Sequence, residues 1–166
     1  MRLNASPPRG RIVLGVVLLL LVSIPGRADT PEERATLKGL MAVGVMVGML
    51  GPDAEANGLT IGQLQTDVEL RLHQAGIRVT HEALGYLTVN VTIVRGEAGT
   101  HAVNILLRLN QPVRLERDLH IQTLGITWET YHLILVGGGH LRDVRSNVAD
   151  LVDRFINVYL EQNPKQ

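Results

Sequence analysis

The sequence predicts a two-layer α/β (α+β) sandwich in which a mostly antiparallel sheet of four to five strands carries two helices on one face. Three observations carry this. Two segments alternate apolar and polar residues, Tyr86 to Ile93 and, but for Leu106, Val103 to Asn110. Two others, Ile61–Ala75 and Leu141–Glu161, repeat apolar residues at helical spacing. Their order along the chain reads β-α-β-β-β-β-α, which needs one helical layer over a sheet whose other face is wet.

Before that domain stands a leader. Arg2, Arg9 and Arg11 form a basic start without an acidic residue, followed by an apolar run from Ile12 to Ile24 and by Pro25-Gly26-Arg27-Ala28. The 13 residues of this run rise only about 1.5 Å each and cannot cross a core of roughly 30 Å. The spacing predicts a signal peptide over residues 1–28, with small residues at the −3 and −1 positions, and a periplasmic or secreted product. An uncleaved N-terminal anchor is the alternative. The exported form is expected to begin at Asp29, and intact-mass measurement checks this: retention of Met1 to Ala28 in a membrane fraction would mean an anchor.

Four of the 16 basic residues (Arg2, Arg9, Arg11, Arg27) belong to this leader, so residues 29–166 hold 12 basic against 16 acidic residues, a formal charge of −4. A basic patch for nucleic acid or anionic lipid is not expected. The chain has no Cys, which removes disulfides, thiolate chemistry, cysteine metal ligands and lipoprotein-type acylation. With one Trp and one Phe, the core of the single domain, about residues 37–163, must be built from Val, Leu and Ile. No membrane span is expected after cleavage.

Taken in order, Asp29 to Thr36 reads as a flexible lead-in. Leu37 to Leu50 reads as a strand, with Val43, Val45 and Val47 alternating against Gly44, Met46 and Gly48, where the glycines leave room for another backbone. Gly51-Pro52-Asp53 turns the chain into a loop reaching Gly58. Thr60 and Gln63 have capping-box spacing, Leu59 and Leu64 a hydrophobic staple, and Gly76 stands just past the helix end. Ile61, Leu64, Val68, Leu72 and Ala75 form its buried stripe. Ile77 to Thr80 is a short strand, parallel to the first across this helix. A hairpin loop over residues 95–99 joins the two alternating strands. Pro112 marks an edge or a bend, Arg114 to Asp118 a charged turn, and Leu124 to Val136 a last strand with Trp128 and Tyr131. Gly137-Gly138-Gly139 leads into the final helix, striped by Val144, Val148, Leu151, Val152, Phe155 and Tyr159, with Asp150 and Arg154 as an exposed pair.

This order, with Gly58-Leu59-Thr60 opening the helix and Val68-Glu69-Leu70-Arg71-Leu72 running into Ala75-Gly76-Ile77, resembles small exported bacterial modules. The N-terminal domain of TolB and the lipopolysaccharide-assembly lipoprotein LptE are of this kind, and an uncharacterised bacterial family is similar. The resemblance spans about Leu37 to Asn163 in element order. LptE-type proteins carry a lipidated cysteine that is missing here. The resemblance implies a binding role in the envelope rather than catalysis.

The residue inventory points the same way. The mature chain holds one serine, Ser146, outside any Gly-x-Ser-x-Gly elbow, and two lysines, Lys38 and Lys165. Six histidines survive processing (His73, His81, His101, His120, His132, His140) without a zinc-ligand motif, and no metal or cofactor is expected. Asn90-Val91-Thr92 matches a glycosylation sequon but sits inside a strand. The expected function is non-catalytic: a binding or assembly module whose partner is an envelope protein or other envelope component. The candidate surface is the wet sheet face with Tyr86, Thr88, Asn90, Asn104 and Arg108. The alternative is a small-molecule or anion-binding protein using a sheet–helix pocket or the turn at Gly138, Gly139 and His140, where helix N-terminal amides lie free.

Overall fold

A computed structural model describes residues 30–56, 58–137 and 143–164. The leader, Leu141 and the turn at Gly138, Gly139 and His140 lie outside the described residues. Capping chemistry opens the described chain. Thr30 accepts the Glu33 amide at 3.2 Å while the Glu33 carboxylate accepts the Thr30 amide at 3.0 Å, and Pro31 stands at the first turn of helix α1, Pro31–Ala35. The polar lead-in is therefore a helix, and the signal for it, Thr30-Pro31-Glu32-Glu33, was present in the sequence. The following turn is clamped by the far end of the chain: Asn163 donates to the Leu37 carbonyl at 2.8 Å and accepts from the Gly39 amide at 2.7 Å. Strand β1 is correspondingly shorter than the apolar run, Ala42–Val47.

Helix α2, Pro52–Ala56, replaces the expected loop and buries Ala54. Helix α3, Ile61–Gln74, lies where its capping pattern put it. Thr60 accepts from the Gln63 amide at 3.2 Å. At its end Gly76, at φ +80°, lets the Ile77 amide reach the Leu72 carbonyl and its own amide reach that of His73, a closure that needs a left-handed residue. Leu64, Val68 and Leu72 are buried. Val68→Ala is expected to cost about 1–3 kcal/mol and Glu69→Ala less than about 0.5 kcal/mol; equal losses in urea unfolding would mean a different helix phase.

Strands β2 (Arg78–Val79), β3 (Tyr86–Arg95), β4 (Thr100–Leu115) and β5 (Asp118–Gly137) complete one five-stranded sheet of order β2-β1-β3-β4-β5. Strand β1 runs parallel to both β2 and β3, while β3, β4 and β5 are antiparallel, so the sheet is mixed. Helix α4, Asp143–Gln162, packs with α3 over one face. Leu87, Val89, Val91, Val103, Ile105, Leu107 and Leu109 meet Val144, Val148, Leu151, Val152 and Phe155 in that layer. Arg154 does not reach toward Asp150; it donates to Thr130 on β5 at 3.1 Å.

The last two strands are longer than their patterns announced. Tyr86 lies opposite Asn110 at the start of β3, so from Gln111 onward β4 and β5 continue as a two-stranded arm. Pro112, opposite Leu124, sits on this arm, where β4 has no β3 neighbour and a missing N–H is tolerated. Strand β5 begins six residues before the expected Leu124, at Asp118. Leu119 and Ile121 alternate with His120 and Gln122 there, but Leu124 and Ile126 move the apolar residues to even positions, and residues 118–124 are exposed throughout, so no core holds one apolar face along the arm.

Candidate functional site

Among the described residues, the sheet face away from the helices is the surface left open. Strand alternation and register place Gly44 and Met46 of β1, with Gly48 just past its end, then Tyr86, Thr88, Asn90, Thr92 and Val94 of β3, on it. Ala102, Asn104, Leu106, Arg108 and Asn110 of β4 follow, with Glu129, Tyr131, Leu133 and Leu135 of β5 beyond them. All five residues expected on the wet face (Tyr86, Thr88, Asn90, Asn104, Arg108) are there. The structure gives them neighbours that spacing alone did not reveal.

Two of them lean over β1. A Cβ on Gly44 would fall 2.5 Å from the Tyr86 ring, and one on Gly48 would fall 2.4 Å from Asn90 Oδ1. The glycines make room for these side chains, not for another backbone. Tyr86 completes the contact by donating its hydroxyl to the His81 carbonyl at 3.0 Å. Gly44→Ala must push the ring away and break that bond, with an expected loss of about 1–3 kcal/mol in thermal or urea unfolding; an unchanged midpoint would show that the ring moves freely.

The polar centre of the face is internally bonded. Asn110 donates to Thr88 Oγ1 at 3.1 Å, Thr88 contacts the Arg108 carbonyl at 3.4 Å, and Arg108 Nε donates to Glu129 at 3.0 Å. Arg108 and Glu129 sit directly opposite each other on β4 and β5. At about a third exposure each, such a cross-strand pair adds little stability by itself. It does neutralise the one strongly charged pair on the face.

Toward β5 and the far end of β3 the face changes character. Leu133 and Leu135 are 70% and 81% exposed, Val94 is 59% exposed, and Tyr131 and Leu106 lie beside them. Leu106 is opposite Tyr131, and Ala102 lies between Val94 and Leu135. These apolar residues were not singled out from the sequence, because Leu133 and Leu135 sit in a run, Leu133-Ile134-Leu135-Val136, where every residue is apolar and the wet side is invisible. The arm adds Leu124 and Ile126, at 64% and 51% exposure.

The remaining chemistry is sparse. His101 is buried, and its Nδ1 finds no hydrogen-bond partner among the described residues. His101 faces Val136 whereas His132 faces Ile105, which separates the two by four residues along the strands, roughly 13 Å. No three His, Asp or Glu residues gather in a metal-binding group among the described residues. A groove of about 410 Å³ runs between α3 and α4. It is bridged by Arg71–Asp153 at 2.8 Å and Arg145–Asp67 at 2.7 Å, which already pair its strong charges. Ser146 lies in this groove on the surface of α4. No helix among the described residues is long and apolar enough to cross a membrane.

These features define a two-layer α+β domain with one uncovered sheet face. No protein-family model and no curated protein matches the chain. Among solved structures, a PelC dodecamer from Paraburkholderia phytofirmans is similar at 14% identity and a TM-score of 0.41, over 75% of this chain and 88% of that one. A hypothetical protein from Chlamydia trachomatis is 7% identical at a TM-score of 0.43, over 72% and 98% of the two chains. A minor lipoprotein from Acinetobacter baumannii is 10% identical at a TM-score of 0.36, over 78% and 98%.

Proposed function

We propose that this protein is a non-catalytic binding or assembly module of the bacterial envelope, exported by its leader and docking a partner on the outer face of its sheet. One observation carries the reading: both long helices cover the same face, and the other exposes an apolar patch beside a polar centre whose strong charges are already paired. Such a patch, rimmed by polar residues, is the usual mark of an interaction surface. The export pattern of residues 1–28 supports the compartment, and the lack of a nucleophile–base pair in the sequence supports binding over catalysis.

The test is capture from envelope extract by the protein expressed from its full-length gene. Thr92 and Asn104 face each other at the centre of the surface. Thr92→Lys with Asn104→Glu places opposite charges on facing strands, an arrangement sheets tolerate. This variant is expected to keep native circular dichroism and lose capture. Leu70→Lys, on the exposed side of α3, is expected to keep it. Capture that survives the first variant and fails with the second would transfer the binding site to the α3–α4 side and overturn the reading.

A further inference from the structure

The two edges of the sheet differ in a way that identifies a partner. At one edge β2 is only two residues long and carries the exposed Arg78, the shortness and charge by which sheets ordinarily protect an edge. At the other, β5 spans 20 residues and, among the described residues, pairs with β4 alone. From Leu119 to Gly137 it contains no Lys, Arg or Pro. Its bulge, between the rungs of Leu109 and Asn110, lies at one end of the regular stretch Glu129 to Gly137 and leaves that stretch straight. Alternate residues there direct backbone N–H and C=O groups away from β4, a template for another strand.

Beyond the reading of the outer face as a docking surface, we propose that the free β5 edge is taken by a second copy of this chain: β5 pairs antiparallel with its own counterpart across a two-fold axis within residues 129–137. Three features select the same chain over another protein. The segment's one strongly charged residue, Glu129, is matched internally by Arg108, so it places no demand for a complementary charge on the partner. A suitable partner strand must itself be uncharged and present large apolar residues at every second position, as Tyr131, Leu133 and Leu135 do. The two-fold operation also brings the same face of both sheets to one side, setting the two apolar rows side by side across the seam as an isologous contact requires.

At this seam Tyr131, Leu133 and Leu135 gain their counterparts as cross-strand neighbours, while Leu106 and Val94, one and two strands in from the edge, stay on the open face. The product is one continuous ten-stranded sheet with both helical layers on the same side.

Sedimentation of protein expressed from the full-length gene reads this directly. Twice the monomer mass is expected for the wild type, and monomer mass with unchanged circular dichroism for Leu133→Lys combined with Leu135→Lys. Because the chain has no Cys, single substitutions Tyr131→Cys, Leu133→Cys and Leu135→Cys give an independent measurement. At least one is expected to form an intermolecular disulfide about tenfold faster than Met41→Cys, through the raised effective concentration at the axis. Met41 is exposed and lies just before β1, away from the β5 edge. A wild type that stays monomeric at all concentrations overturns the proposal, as does a dimer indifferent to the lysines whose β5 cysteines cross-link no faster than Met41→Cys. A monomer that still captures an envelope partner through Thr92 and Asn104 would refute only the second copy. A β5 dimer whose capture ignores those residues would refute only the docking reading.

Discussion

Trp128→Ala should lower the stability of the domain by about 3–5 kcal/mol, the range for removing a large aromatic side chain from a packed core. Trp128 is fully buried on β5 and meets Phe155 of α4 edge to face, with ring centroids 5.3 Å apart. Phe155 in turn lies 6.4 Å from the Tyr159 ring, so Trp128 is one end of a short aromatic chain along α4. It joins the edge strand to the helix layer at the point where β4 and β5 leave the main sheet. Loss of the ring opens a cavity that neither rigid element can collapse into, and the edge-to-face contact is lost as well. Urea unfolding measures the effect, and tryptophan fluorescence of the wild type supplies the matching probe. A loss under about 1 kcal/mol would mean that the strand is held by its ladder alone.

Leu37→Ala should cost about 2–5 kcal/mol although it lies only just beyond the short helix α1, near the edge of the described domain, where truncations are ordinarily mild. Leu37 is fully buried and belongs to the main core cluster. Its backbone carbonyl accepts from Asn163, the Leu40 carbonyl accepts from the Tyr159 hydroxyl at 2.9 Å, and Arg34 pairs with Glu161. The start and end of the domain are thereby stitched into one cooperative unit. Hydrogen exchange should show the amides of Leu37, Gly39 and Leu40 opening together with the end of α4, and independent fraying of residues 30–40 would contradict this.

These two effects bear on function because they concern the frame that presents the outer face. The core lies wholly on the helical side of the sheet, so outer-face substitutions such as Leu133→Lys leave it intact. Binding and folding are therefore separable by mutation in this protein. The exception is the rim at Tyr86 and Asn90, whose side chains occupy the space above Gly44 and Gly48 and would report on stability as well as on any contact.

Legibility in the sequence followed the burial asymmetry of each element. Helix α3 was readable because one stripe faces the core and its ends carry their own capping residues, Thr60 and Gly76. Strands β3 and β4 were readable because one side is buried and the other polar, which writes the pleat into alternation. The placement of Tyr86, Thr88, Asn90, Asn104 and Arg108 on one surface followed from that same period. The hidden parts were those with no single wet side. Helix α1 is too short to show a stripe and displayed only its caps. The β4–β5 arm is exposed on both sides, and the Leu133 to Val136 segment is apolar on both.

The sequence by itself determined the layers, the helix phases and the facing of the central strands, because local periodicity and capping are set by neighbours a few residues apart. Tertiary structure alone decided that β1 lies between β2 and β3, that Asn163 locks Leu37 and Gly39, and that β5 forms an unprotected edge beside an apolar patch. Those outcomes depend on which distant segments come to lie together, as with the packing of Tyr86 over Gly44 or the pairing of Arg108 with Glu129. No local pattern encodes such contacts, since each residue's own neighbourhood is compatible with several partners and only the closed core selects one.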